Sequence, residues 1–191
     1  MQEFSMWFNL GITHIISLEG IDHLMFILNL SFVYAYNEIR RIFLLISGFT
    51  IGHTFSLVYG SYISFKINSN LIEFLIPLTI VISSISNLLP QKKNILTLSL
   101  ICLFFGLIHG LAFSNSICSL LGHTNQALWA LLYFNLGIEA AQVLILISCF
   151  ILIILITKQF HIAMQKFKQS ISILIALIGV FICYNRLDNL I

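Results

Sequence analysis

Six long apolar stretches, at residues 21–37, 40–60, 71–89, 94–119, 125–157 and 169–185, follow one another along the chain. Short polar joints separate them: NEIRR (37–41), SYISFKINSN (61–70), PQKKN (90–94), LGHTNQ (121–126) and TKQFHIAMQKFKQ (157–169). A helix needs about 20 apolar residues to cross a bilayer core. In lipid a spanning backbone must satisfy its own amides, which leaves helices for segments of this kind. The pattern predicts an all-α, polytopic transmembrane bundle with six spans, forming a single integral membrane domain over residues 1–191. The fifth stretch is longer than a bilayer requires and is expected to tilt or project. Residues 4–18 are apolar but too short to cross, and read as a short N-terminal interfacial or re-entrant helix.

Composition agrees with the pattern. Hydrophobic residues make up 59% of the chain and charged residues 8%, against about 25% charged in a soluble domain. The lipid bilayer is thus the first expected partner. A formal charge of +2, with the basic residues scattered, gives no footprint for a nucleic-acid partner. Whether the protein forms a homo-oligomer is left open. Cys102, Cys118, Cys149 and Cys183 all lie in apolar runs without a CxxC pair and read as small hydrophobes. The N-terminus MQEFSMWFNL has no basic n-region, so no cleaved signal peptide is expected.

Charge sets the expected orientation. With the N-terminus outside, the inner joints hold Arg40, Arg41, Lys92, Lys93, Lys158, Lys166 and Lys168, and the outer side holds Lys66 and Arg186. The excess of basic residues on one side predicts both termini outside, in a bacterial cytoplasmic (inner) membrane.

That orientation gives the intramembrane polar residues a shared depth. Asp22 and His23 open the first stretch at its outer end, with His14 just before them. His53 lies thirteen residues into a stretch entered from the inside, or roughly 20 Å up at 1.5 Å per residue. His109 lies fifteen residues into the fourth. Glu73 sits near an outer helix start, Glu139 near the midplane and His123 in an outer joint; His161, in an inner joint, reads as a solvated residue. Asn135, Glu139 and Gln142 fall at i, i+4 and i+7 on one helical face, as do Asp22 and Asn29 seven apart, and His53 and Ser56 three apart. Such faces are expected to point into the bundle.

An ionisable group at a helix centre costs about 2.5–3.5 kcal/mol on insertion scales, so several together call for a partner. Imidazole with carboxylate suits a divalent transition metal ion, with nickel or zinc foremost. His23, His53, His109, Asp22 and Glu139 are the candidate ligands, joined by His14 and His123 as further candidates. Asn135, Gln142, Asn29, Ser56 and Glu73 would orient the ligands from behind. Gly48-xxx-Gly52 and Gly106-xxx-Gly110 each place glycines one turn apart, which lets helices approach closely.

Five ordered motifs carry a resemblance: GITHIISLEGIDHLMF (11–26), FTIGHTFSL (49–57), IEFLIPLTIVISSISNL (72–88), FFGLIHGLAF (104–113) and FNLGIEAAQV (134–143). Together they resemble the HupE/UreJ family of membrane proteins, named for hydrogenase and urease accessory proteins, over about residues 7–143. The resemblance implies a nickel permease or metal-uptake accessory, with His14, Asp22, His23, His53, Glu73, His109, Asn135, Glu139 and Gln142 as the carried-over positions. Gly52, Thr54 and Ala112 depart from the family pattern by one small residue for another, without loss of a ligand.

Three functions follow. The first is a nickel-type membrane transporter or metal-uptake accessory with its site in the outer half of the bilayer. The second is a metal-dependent (zinc) intramembrane hydrolase in which Glu139 or Asp22 is the base acting on a metal-bound water. The third is a structural membrane subunit whose polar network only fixes helix packing.

Overall fold

A computed structural model describes residues 2–17, 20–33, 38–62, 68–89, 94–121, 127–160 and 163–187. Among them the helices run α1 (Gln2–Ile16), α2 (Ile21–Val33), α3 (Ile39–Tyr62), α4 (Ser69–Leu88), α5 (Ile95–Leu121), α6 (Ala127–Phe160) and α7 (Met164–Leu187). The protein is an all-α polytopic bundle. Helices α3 to α7 are each long and apolar enough to cross a membrane. The 34 residues of α6 extend about 51 Å at 1.5 Å per residue, well beyond a hydrocarbon core of about 30 Å.

The first expected span differs from the other five. Helix α2 covers 13 residues, about 20 Å of helix, and does not cross alone. It pairs with α1 through a 70° bend, and the two together have the length and apolarity of one broken or re-entrant span. Helix α1 lies along α6 with Trp7, Gly11 and Ile15 buried. A Cβ at Gly11 would strike the Phe134 carbonyl, and one at Gly137 the Phe8 carbonyl.

Helix α2 is the hub. Eight of its side chains are buried: Asp22, His23, Met25, Phe26, Ile27, Asn29, Leu30 and Ser31, as expected of a helix apolar all round. Three helix pairs enclose it: α3 with α5, α1 with α6, and α4 with α7. In lipid there is little hydrophobic gain from joining helices, so close packing and polar contacts hold them. The α3–α5 pair shows this most clearly. A Cβ at Gly52 would strike the Leu103 carbonyl, one at Gly106 the Phe49 carbonyl and one at Gly110 the Ser56 hydroxyl and His53 carbonyl. Helix α7 presents most of its apolar side chains outward, among them Leu177, Phe181 and Tyr184, each more than 60% exposed, which makes it the lipid-facing wall.

Candidate metal centre

Four helices bring four imidazoles together. His14 ends α1, His23 opens α2, His53 lies within α3 and His109 within α5. One ligand nitrogen from each of His14, His23 and His53 lies within 4.8 Å of the others. His109 joins from the fourth side, its ring centre 5.1 Å from that of His23. The His14–His23 and His23–His53 ring centres are 4.9 and 5.4 Å apart. Metal–nitrogen bonds run about 2.0–2.1 Å, so closing three nitrogens on one ion needs side-chain shifts of roughly 1 Å.

The same glycines that seat α3 on α5 set this convergence. The backbone of His53 lies against Gly106 and Gly110, which flank His109 on the facing helix. Gly20 has the same role between α1 and α2: a Cβ there would strike the His14 carbonyl. Phe113 closes on the His14 ring at 4.2 Å and Phe49 on the His109 ring at 5.0 Å, so aromatic side chains wall the cluster.

The hydrogen bonding of the cluster is one-sided. His109 Nδ1 lies 2.8 Å from the Phe105 carbonyl. A carbonyl only accepts, so Nδ1 carries the proton and Nε2 holds a lone pair. His109 Nε2, His14 Nε2, both ring nitrogens of His23 and of His53, and Asp22 Oδ1 are buried with no hydrogen-bond partner among the described residues. Leaving a buried polar atom unpaired costs about 1–3 kcal/mol, so seven together mark a place built for something other than packing. A cavity of about 130 Å³ opens on them, lined by His14, Asp22, His23, Ile76, His109, Ala112 and Phe113. His53 adjoins His14 and His23 without lining it.

Asp22 has a partner that sequence reading missed. Arg186, near the end of α7, reaches Asp22 Oδ2 with Nη2 at 3.3 Å and donates with Nη1 to the Glu73 carbonyl. That carbonyl is available because Pro77 sits four residues on in α4 and has no N–H to return to it. A proline on α4 thus provides the anchor that steadies an arginine from α7 over an aspartate on α2. In the sequence Arg186 counts only as an outer-side charge, and no local signal links it to Asp22.

The remaining candidates lie elsewhere. Glu139 is not brought to the histidines. It is exposed on α6 and lines a separate groove of about 480 Å³ with Thr50, Thr54 and Asn135. Asn135 accepts from Thr54 at 2.7 Å and Gln142 from Thr50 at 3.0 Å. These bonds fix α6 to α3 on either side of His53 and touch no imidazole. Ser56 donates to the His53 carbonyl at 3.0 Å. The Glu73 side chain is exposed; only its backbone takes part. Asn29 pairs with α4, two turns below Asp22. Cys102 and Cys149 are buried free thiols. His123 and His161 fall outside the described residues.

The sequence model of one protein family, described as HupE / UreJ protein, matches residues 1–186. No curated protein and no solved structure matches the chain. The chain belongs to the HupE/UreJ family.

Proposed function

We propose that this HupE/UreJ protein moves a divalent transition metal ion, nickel first and zinc second, across the bacterial cytoplasmic membrane. The convergence of His14, His23, His53 and His109 with unpartnered ring nitrogens carries the reading. Neutral imidazole is a borderline ligand that suits nickel, zinc, copper or ferrous iron and discriminates against magnesium and calcium, which prefer oxygen. Asp22 adds one carboxylate on the cavity wall. Its Oδ2 is held by Arg186 and its Oδ1 is unpaired, so an arriving cation meets half of a carboxylate and competes with the guanidinium for the rest. With Arg40 and Arg41 on the cytoplasmic side, the histidines occupy the outer half of the membrane and the ion enters from the periplasm.

One observation supports a hydrolase as the second reading: Asp22 lines the same cavity as three of the histidines, where a carboxylate could take a proton from a metal-bound water. Nickel uptake into proteoliposomes, wild type beside His109→Ala, separates the two. Saturable uptake that drops to background in the variant is the expected result. No uptake by the wild type, with metal tightly bound in the purified protein, overturns transport in favour of the hydrolase.

A further inference from the structure

Below the histidines, toward the end of the bundle that carries Arg40 and Arg41, a second cavity of about 130 Å³ is lined from four helix ends. Leu30 comes from the last turns of α2, Leu45 from the first turns of α3, and Leu98 from the first turn of α5. The polar wall belongs to α4, where Ser83, Ser86 and Asn87 lie within the final turns of a helix that ends at Leu88. Cys102 adds a thiol to the lining.

Asn29 holds this wall in place. Its amide donates to Ser83 Oγ at 2.9 Å, and its side-chain oxygen accepts from Asn87 Nδ2 at 2.9 Å. Asn87 enters the pair as a donor, so its own oxygen is not used in it. The two cavities are separated by little. His109 lines the upper one and Phe105 the lower one, four residues apart on α5 and joined by the Nδ1–carbonyl bond. The plug between them is apolar: Phe26, Phe49 and Phe105 are buried, with Phe26 stacked on Phe49 at 4.6 Å.

The chemistry of the two cavities differs in a way that suits directional movement. The upper offers imidazole nitrogens and a carboxylate. The lower offers hydroxyl and amide oxygens and one thiol, with no charged side chain in its lining; oxygens of this kind are weak ligands for a borderline transition metal. An ion that passes the plug exchanges strong donors for weak ones and regains water.

We propose that the cavity walled by Ser83, Ser86, Asn87 and Cys102 is the exit vestibule, which receives the divalent cation from the histidines and releases it, rehydrated, on the Arg40/Arg41 side. This rests on the transport reading. Asn87→Asp tests it by placing a charge in the vestibule at nearly the same side-chain volume, with loss of the Nδ2 donor to Asn29. Equilibrium nickel binding at the histidines stays at the wild-type level, which also shows that the variant is folded, while maximal uptake falls about tenfold, the rate equivalent of about 1.4 kcal/mol of added retention. A chain with Cys118, Cys149 and Cys183 replaced by alanine, keeping Cys102, reacts with a membrane-impermeant methanethiosulfonate from the Arg40/Arg41 side, more slowly in the presence of nickel. A wild-type uptake rate in Asn87→Asp, or labelling of Cys102 only from the opposite side, overturns the vestibule and leaves transport standing. Absence of uptake by the wild-type chain overturns transport and the vestibule together.

Discussion

The two ends of α2 face the same burial and resolve it in opposite ways. At one end Asp22 and His23 meet three more imidazoles, and seven of the nitrogens and oxygens there are buried without partners. At the other, Asn29 is fully buried yet uses both its amide and its oxygen on α4. Among the described residues the bundle leaves one buried side-chain atom unpaired near Asn29, the Ser84 hydroxyl, against seven around His23. The contrast separates polar groups that hold the fold from polar groups left unpaired, which the proposed function assigns to a metal ion, and it does so within two turns of one helix.

The heaviest blow to this contrast is Gly106→Leu. The added side chain has only the Phe49 carbonyl and the His53 amide to displace, so it forces α3 from α5 and disperses the histidines; a loss of about 3 kcal/mol or more is expected from such overpacking, read as loss of folded protein in detergent by thermal unfolding. A sharper comparison sets His53→Ala against Asn29→Ala. The first lowers nickel affinity by about 10–100-fold with a melting temperature at or above wild type, since it removes two unpaired nitrogens. The second leaves affinity in place and lowers stability by about 1–3 kcal/mol, because Ser83 and Asn87 lose their partner; calorimetric titration and thermal melts read both, and equal effects of the two substitutions would erase the distinction. The smallest effect belongs to Glu139→Gln, where a change in nickel affinity of no more than about twofold is expected for a group outside the cluster.

The fate of Glu139 shows where sequence reading stops. Asn135, Glu139 and Gln142 share a helical face, and Asn135 and Gln142 are indeed buried against α3. At 3.6 residues per turn, however, residue 139 lies about 40° to one side of residue 135 and residue 142 about 20° to the other. At the rim of a helix contact that difference decides between inside and outside, and a periodicity count does not resolve it. The polytopic all-α architecture was legible because apolar runs longer than any soluble helix needs admit few alternatives, and the histidines were legible because imidazoles within such runs demand a reason. The pairing of Asp22 with Arg186 was not, since 164 residues separate them and the packing of α7 on α4 and α2 brings them together. The setting of α2 was also hidden: residues 21–37 are apolar enough to span, and the described part, Ile21–Val33, is buried among its neighbours and joined to α1 by a 70° bend.

The seat of His14 carries a consequence for how the protein is made. Helix α1 is the first to leave the ribosome, yet it rests on α6 through the mutual fit of Gly11 and Gly137. A nascent chain that has delivered α1 to α5 already owns four of the imidazoles but has nothing to hold the first of them in register. The cluster closes only when α6 is translated and inserted, with α7 and its Arg186 still to follow, so under the proposed metal reading a half-synthesised chain does not hold the ion on all four imidazoles.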